Sequence, residues 1–300
     1  MEILGLDIGN EMVKTSKGVQ FTNKTIVGIT EMNKNDLKVV FEGVNYTLGI
    51  NEGSSNIGKN KHKKTAFKVA TLTAIAKSCS EKNIECNVVI GTPVELFNNK
   101  DHVESIKNQI LSWNKNQKII VENKEKIITI NDVEVFPEGG IVFKNRERFK
   151  DEKTLVVDLG GSTVDIALWN GLRLENFKTY KEGMITLYED VIKLINLKYN
   201  VELCSSEAKY MINKDLYTIK QDKKDIRFIN PVIENYVNGL VSYINQYFDT
   251  DKVDSIQLIG GGAIMLESYF KEEYEMAELV EDAGFANANT FEKIGEVVWL

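Results

Sequence analysis

The stretch LGLDIGNEMVK at residues 4–14 is repeated in outline by VVDLGGSTVDIAL at residues 156–168. Each begins with a short apolar run that predicts a buried strand, and each continues with an aspartate followed two positions later by a glycine. Such a turn frees backbone amides to point at anionic oxygens, and the carboxylate can hold hydrated magnesium. One Asp-x-Gly turn is common in ordinary loops. Two in corresponding places indicate an internal duplication whose halves hold a nucleoside triphosphate and its metal ion in a cleft between them.

The size and composition of the chain narrow the class of protein. Its 300 residues, 43% of them hydrophobic, can fill the cores of one large or two medium domains. A formal net charge of −7 argues against extended direct contact with DNA. No apolar run approaches the roughly 20 residues of a membrane span, and no basic-then-apolar leader begins the chain, so we expect a cytoplasmic protein without a membrane partner. Three irregularly spaced cysteines favour buried thiols in a reducing compartment.

Two short stretches concentrate charge of opposite sign. The basic stretch contains Lys59, Lys61, Lys63, Lys64 and Lys68. The acidic stretch contains Glu267, Glu272, Glu273, Glu275, Glu278, Glu281 and Asp282. Solvated surface is the ordinary explanation for both. The functional alternative is that they lie at opposite ends of the molecule and attract each other between copies.

The periodicity of the first half predicts a mixture of strands and helices. Antiparallel strands are expected over the first fifty residues, and helices over 65–78 and 101–113, the former with a stripe of Phe67, Ala70, Ala74 and Lys77. The segment NVVIGTPVELF (87–97) is predicted as a strand, and QKIIVENKEKIITI (117–130) as two strands.

The second half is predicted to begin with a hairpin over residues 154–171. A long helix over 183–199 and a shorter one, capped by Ser205, follow. The segments DLYTIK (215–220) and IRFI (226–229) are expected to pair as an exposed hairpin. Asn230 is expected to cap a helix whose first residue is Pro231.

The charged stretch 144–153 is interpreted as the hinge between the halves. This places a first domain at 1–150, with a small outer subdomain at about 31–60 and the C-terminal segment 286–300 packed back on it. A second domain covers 151–285, with a small outer subdomain at about 200–229.

Two further features are candidates for phosphate binding. Gly260, Gly261 and Gly262 follow an apolar strand and precede a helix, so free amides at the helix N-terminus suit an α-phosphate or a ribose. Their spacing is neither that of a dinucleotide fingerprint nor that of a P-loop. Lys14, seven residues after Asp7, can return on the next strand and place its ammonium on a β-phosphate.

Four motifs in this order resemble those of the actin, Hsp70 and sugar-kinase superfamily, and most closely its plasmid-segregation branch, the ParM-like bacterial actins. The motifs are LGLDIG, VFPEGG, VVDLGGSTVDIAL and IQLIGGGA. The segments YTLG and NKHKKTAFKVATLTAIA are similar to the same branch. The resemblance spans nearly the whole chain. It implies an α/β, actin-like, ribonuclease H-like duplicated fold with two domains and a nucleotide cleft between them.

The resemblance also implies roles for individual residues. Glu138 matches the carboxylate that orients or activates the water attacking the γ-phosphate, and Asp165 matches a second polar residue near that water and the metal. Asp7 and Asp158 match the carboxylates that hold the water shell of Mg²⁺. The further nucleotide-binding positions are Gly9, Asn10, Lys14, Gly160, Gly161, Ser162, Thr163, Glu182, Gly183, Lys209, Gly260, Gly261, Gly262 and Ala263. Asn10 departs from the family, which usually has a serine or threonine there, and this leaves the turnover rate open.

The function implied by the resemblance is a filament whose subunits add with ATP or GTP and Mg²⁺ bound and leave after hydrolysis. Plasmid DNA would be reached through a centromere-binding, ParR-like adaptor rather than by direct contact, in agreement with the acidic charge. A small-molecule kinase of the same superfamily and an actin-like filament for another cargo are the alternatives.

Overall fold

The computed structural model describes residues 1–28, 36–50, 54–55, 58, 60–113 and 115–300, without the side chains of residues 54 and 55. Lys59 and parts of the predicted outer subdomain at 31–60 lie outside these ranges. The chain forms two compact units, one of Met1–Asn145 with Phe285–Leu300 and one of Arg146–Gly284. Each unit has its own sheet and its own hydrophobic core.

The bounds of the elements are given in chain order. The described strands are β1 (Glu2–Ile8), β2 (Met12–Thr15), β3 (Gln20–Thr22), β4 (Lys24–Val27), β5 (Leu37–Phe41), β6 (Val44–Leu48), β7 (Ser54–Ser55), β8 (Asn83–Thr92), β9 (Gln117–Val121), β10 (Lys124–Pro137), β11 (Lys153–Leu159), β12 (Val164–Asn170), β13 (Arg173–Tyr180), β14 (Leu216–Ile219), β15 (Asp222–Asp225), β16 (Ser255–Ile259) and β17 (Ala277–Leu279). The described helices are α1 (Thr65–Ser78), α2 (Val94–Phe97), α3 (Lys100–Leu111), α4 (Arg146–Phe149), α5 (Met184–Tyr199), α6 (Asn230–Tyr247), α7 (Gly261–Glu273) and α8 (Ala286–Trp299).

The two units repeat one strand order. The first sheet contains β3-β2-β1-β8-β10, and the second is β13-β12-β11-β16-β17. In both, a three-stranded antiparallel meander is followed by strands parallel to its first strand. The internal duplication predicted from the two Asp-x-Gly stretches is therefore confirmed. The first sheet continues beyond β10 through β9-β5-β6-β4-β7, whereas β14 and β15 form a separate two-stranded sheet.

Helix α1 has the predicted bounds but not the predicted stripe. Most of its residues between Phe67 and Ala76 are buried, and it contacts β1, β2, β9 and β10 of the first sheet. Lys77, placed on the apolar stripe by the sequence pattern, is exposed, and its ammonium lies 2.7 Å from the Glu122 carboxylate. A helix that is apolar nearly all round carries little information about which face is buried.

The C-terminal helix α8 packs on β1 and β8 of the first unit. The contact is so close that a Cβ at Gly5 would lie 1.9 Å from the carbonyl oxygen of Ala288. Phe291 is fully buried there against Val89, and the Trp299 indole donates to the Asp132 carboxylate at 3.0 Å. Helix α8 thereby supports the strands whose ends carry the candidate site of this unit.

Two turns differ from the predicted elements. Pro93 ends β8, so residues 94–97 form a helical turn instead of continuing the strand. Lys220 and Gln221 have φ angles of 49° and 70°, and this tight turn pairs β14 directly with β15 rather than with residues 226–229.

The two predicted caps are shifted by one residue. Cys204, not Ser205, caps the 3₁₀ helix at 205–210, and its amide donates to the Glu207 carboxylate at 3.1 Å. Asn230 is the first residue of α6, because a 3₁₀ turn over 227–229 runs straight into that helix. In the described part of the chain, no helix is both long enough and apolar enough to cross a membrane.

Candidate functional site

In the first unit, Asp7 and Lys14 face each other across the β1–β2 hairpin. They are register partners on antiparallel strands, and the turn that contains Gly9 and Asn10 joins them. Burial raises the pKa of Asp7, whereas the positive charges of Lys14 and Lys61 oppose that shift. The sequence stretch 4–14 therefore places one acid and one base at the mouth of a glycine turn.

Asn23 fixes the conformation of this turn. Its side-chain nitrogen donates to the carbonyl of Gly9 at 2.5 Å, and its backbone amide donates to the carbonyl of Glu11 at 2.6 Å. Asn23 is only 1% exposed, so the hydrogen bonds that stabilise the turn come from a buried residue. The sequence alone does not predict this role, since nothing in a single asparagine between two short strands points to it.

Glu138 lies at the same edge of the first sheet as Asp7. Strands β1, β8 and β10 are parallel, and Glu138 follows directly after the carboxyl end of β10. Its amide donates to the carbonyl of Thr92 at 2.9 Å, and its Cγ lies 3.4 Å from where a Cβ at Gly91 would be. The half-buried carboxylate is therefore carried by two adjacent strand ends. Carboxyl ends of parallel strands are the usual position of ligand sites in α/β sheets.

Lys61 also lies at this end of the first sheet. Its predicted place on a solvated lysine surface is therefore wrong. Its Nζ donates to the carbonyl of Ile8 at 2.5 Å. Burial lowers the pKa of Lys61, and the charges of Glu138 and Asp7 oppose that shift. Lys63 and Lys64 are exposed as expected.

In the second unit, Asp158 and Asp165 occupy the positions that Asp7 and Lys14 occupy in the first. They are register partners across the β11–β12 hairpin, and both are buried at 9% exposure. The Asp165 carboxylate accepts from the Thr179 hydroxyl at 2.6 Å and from the Thr163 hydroxyl at 3.2 Å. The duplicated hairpin thus carries an acid where the first carries a lysine.

The start of helix α5 supports the glycine loop of this hairpin. Backbone amides of residues 183–185 donate to the carbonyls of residues 160–162 at 2.9–3.2 Å. A Cβ at Gly183 would lie 2.4 Å from the carbonyl oxygen of Gly161 and 2.5 Å from the amide nitrogen of Thr163. Gly183 therefore permits a close backbone contact that sets the shape of the loop.

The glycine triplet brings the N-terminus of α7 beside Asp158. Gly260 has φ +89°, and a Cβ there would lie 2.6 Å from Asp158 Oδ1. No atom lies within 4 Å of a Cβ at Gly261, whereas Gly262 packs against Met184, and Ala263 is fully buried. The second unit therefore joins a carboxylate to the positive end of a 13-residue helix.

Two predicted residues lie at the periphery of this arrangement. The exposed Glu182 accepts from the Tyr180 hydroxyl at 3.1 Å through its carboxylate, and its carbonyl accepts from Tyr236 at 2.8 Å. Lys209 is exposed on the 3₁₀ helix 205–210, with its ammonium 5.0 Å from the centroid of the Tyr210 ring.

Asp7 in the first unit and Asp158 in the second are carboxylates of the kind that could contact a hydrated cation. Within the ranges that the structure describes, no group of three or more His, Cys, Asp and Glu side chains could hold a metal ion directly. Asp7 precedes the Gly9 turn and Asp158 precedes the Gly160 turn, each beside the carboxyl end of its strand. A carboxylate that contacts the metal through water fits the preference of Mg²⁺ for keeping several of its waters.

Family models match both halves of the chain. Residues 5–140 match the model described as actin like proteins N terminal domain. Residues 156–272 match the model described as archaeal actin homologue MreB-like, C-terminal. None of the curated proteins compared with the chain matches it.

Solved structures similar to this chain cover it almost completely. Ta0583, an archaeal actin homologue, has a TM-score of 0.84 at 18% identity, over 99% of this chain and 100% of that one. Its complex with ADP has a TM-score of 0.80 at 17% identity with the same coverage. The Alp12 filament structure gives 0.73 at 22% identity, over 99% of each chain. A 15-stranded ParM filament from Clostridium botulinum gives 0.78 at 17% identity, over 98% of this chain and 99% of that one.

Proposed function

Since the chain belongs to the actin-like proteins, with the two-domain α/β fold of that family, we propose that it is a nucleotide-dependent filament protein. Its subunits bind ATP or GTP with Mg²⁺ and assemble, and hydrolysis of the γ-phosphate drives disassembly. The observation that carries the proposal is the repeated hairpin, in which Asp7 pairs in register with Lys14 and Asp158 with Asp165.

Each unit carries one hairpin whose residues suit phosphate and metal binding. Asp7 and Asp158 are the carboxylates that would hold the water shell of Mg²⁺, and the ion would neutralise charge on the phosphate oxygens. The amides of the Gly9 and Gly160 turns and the ammonium of Lys14 bind phosphate oxygens. Amides at the N-terminus of α7 bind the α-phosphate or the ribose.

Glu138 is the residue that we assign to the attacking water. Its place at the end of β10 gives it a fixed backbone, and its carboxylate can accept a hydrogen bond from water. Asp165, held by two threonine hydroxyls, is the second polar group near that water. Phosphoryl transfer of this kind depends on positioning and charge, with little covalent chemistry for the protein to perform.

Filament formation is supported by the relatives with this fold. Two of the similar structures are filaments, one of Alp12 and one of a ParM from Clostridium botulinum. We propose that this chain assembles in the cytoplasm and segregates plasmid DNA through a centromere-binding, ParR-like adaptor. The net charge of −7 favours an adaptor over direct contact with DNA.

Light scattering of the purified protein tests this function. Addition of Mg-ATP or Mg-GTP should raise the scattering, a non-hydrolysable analogue should hold it high, and electron microscopy should show filaments. A small-molecule kinase would give flat scattering and consume nucleotide only with its acceptor. Calorimetry that detects no uptake of either triphosphate by folded protein would refute the proposal.

We further propose that the basic stretch contacts the acidic stretch of a neighbouring subunit. Lys63, Lys64 and Lys68 line a cavity of about 260 Å³ together with Trp113. In the acidic stretch, Glu267 pairs with Lys271 and Glu278 with Arg148, while Glu272, Glu273, Glu275, Glu281 and Asp282 are exposed. Lys61 is excluded from this contact, since it belongs to the candidate site.

Reversal of charge in the basic stretch should therefore weaken assembly. We expect Lys63→Glu with Lys64→Glu to raise the critical concentration by about 2- to 10-fold at low salt, since exposed ion pairs contribute about 0.2–1 kcal/mol each. The difference should shrink as salt is added. Sedimentation measures the critical concentration, and Lys124→Glu, at another exposed lysine, is the control. If Glu272→Lys with Glu273→Lys, added to the lysine variant, partly restores assembly, the pairing is supported. If the lysine variant has the wild-type critical concentration, the proposed contact is refuted.

A further inference from the structure

Lys61 differs from the lysines around it in where its ammonium lies. It belongs to the 3₁₀ turn Lys61–Lys63, immediately before α1. Lys63, in the same turn, is exposed, whereas the Nζ of Lys61 donates to the carbonyl of Ile8 at 2.5 Å. Ile8 is the last residue of β1 and stands between Asp7 and the Gly9 turn. A segment more than fifty positions away in the chain thus places a cation against the first glycine turn.

Two carboxylates at the ends of different strands lie within electrostatic range of this ammonium. Glu138, after β10, and Asp7, on β1, both act electrostatically on Lys61 and favour its charged form against burial. Lys61 is half-buried, and such partners stabilise its ammonium, because a desolvated charge without them is strongly unfavourable. One of its three protons is used by the Ile8 carbonyl, so two remain for groups on the other sides.

Lys14 and His62 are two other titratable groups near Lys61. Lys14 acts on Asp7 from β2. The adjacent His62 is bonded through Nε2 to the Ser105 hydroxyl at 2.9 Å, and burial lowers its pKa to about 4, so it is neutral near pH 7. Lys61 is the residue of its turn whose charge reaches both proposed functional acids.

We propose that Lys61 is a positioning residue for nucleotide hydrolysis, whose ammonium, anchored on the Ile8 carbonyl beside Asp7, stabilises the ionised carboxylates at this end of the first sheet. This inference rests on the proposed function, because it assumes that Glu138 orients the attacking water and that Asp7 holds the water shell of the metal. With the carbonyl of Ile8 as its anchor, the ammonium places a fixed positive charge near both carboxylates before the nucleotide arrives. A carboxylate displaced by about 1 Å can cost on the order of 10²-fold in rate.

Separate measurement of affinity and turnover tests this role. We expect Lys61→Met to lower the turnover of ATP or GTP by about 10- to 100-fold, with the Kd for a non-hydrolysable triphosphate changed less than about 3-fold. Lys61→Arg, which keeps the charge, should recover part of the rate. Lys124→Met is the matched control, since it removes an exposed lysine of the same unit outside the basic stretch and should keep the wild-type rate. Rates are compared per polymerised subunit, so that a change in assembly does not count as a change in chemistry.

The outcomes separate this inference from the function on which it rests. Wild-type protein that takes up no nucleotide refutes the function itself. Wild-type protein that hydrolyses nucleotide while Lys61→Met matches its rate overturns only the role of Lys61. Weaker binding of triphosphate relative to diphosphate in Lys61→Met, with turnover of the saturated protein unchanged, also overturns it and makes the lysine a phosphate ligand. If Lys61→Met does not fold, Lys61→Gln, which keeps a hydrogen-bond donor without a charge, decides by the same measurements.

Discussion

Replacement of Glu138 by glutamine is expected to lower nucleotide turnover by about 10²- to 10⁴-fold while nucleotide affinity changes only a few-fold. Glutamine keeps the shape of the side chain and the backbone bond from residue 138 to Thr92, so the sheet edge should be unaffected. It removes the negative charge that favours proton transfer from the attacking water. Release of inorganic phosphate measures the turnover, and calorimetry with a non-hydrolysable triphosphate measures the affinity.

Filaments of the Glu138→Gln variant should also persist after assembly, because the step that triggers disassembly is blocked. Glu134→Gln is the control, since Glu134 lies on the same strand but pairs with Lys107 at 2.8 Å, away from the strand end. Turnover at the wild-type rate in Glu138→Gln would show that another group handles the water. Loss of nucleotide binding would instead place Glu138 among the ligand contacts.

The duplicated hairpins could be predicted from sequence because every signal they need is local. An apolar run makes a strand, Asp-x-Gly makes a turn, and a second apolar or alternating run returns beside the first. Asp7 and Asp158 occupy equivalent places in the two sheets for this reason. The bounds of α1 were equally accessible, since residues 65–78 contain neither glycine nor proline and are mostly apolar.

Lys61 and Asn23 could not be found in this way, because tertiary contacts alone define them. The bond from Lys61 to Ile8 joins residues 53 positions apart. A run of lysines in the sequence favours solvent for all of them, and only the packing of the 3₁₀ turn against β1 turns one inward. Asn23 is similar, since its bonds to the Gly9 turn depend on the β2–β3 pairing.

Two turn residues in left-handed backbone conformations explain why the predicted pairing of segment 215–220 with segment 226–229 is wrong. Lys220 and Gln221 are not residue types that predict a two-residue turn, yet both have positive φ angles and reverse the chain there. The polar segment 222–225 therefore became a strand, although its composition carries little strand propensity.

The adjacent glycines Gly260 and Gly261 should respond oppositely to alanine in a measurement of folding stability. Gly260 has φ +89° and ψ 168°, a region that is essentially restricted to glycine and costs other residues about 1–3 kcal/mol. A Cβ there would also lie 2.6 Å from both Asp158 Oδ1 and the carbonyl oxygen of Leu159. We expect Gly260→Ala to lower the free energy of unfolding by roughly 2–5 kcal/mol, from strain and overpacking together.

Gly261→Ala is the matched control, because no atom lies within 4 Å of its Cβ and the residue is already helical. Alanine is the better helix former, so stability should stay equal or rise by up to about 1 kcal/mol. Urea unfolding monitored by circular dichroism measures both variants. Equal stability of the two variants would show that residue 260, between β16 and α7, does not have the positive φ angle described for Gly260. A selective loss of nucleotide affinity in the stable Gly261→Ala protein would show that this open position of the helix N-terminus faces the ligand, since a methyl group there meets nothing in the protein itself.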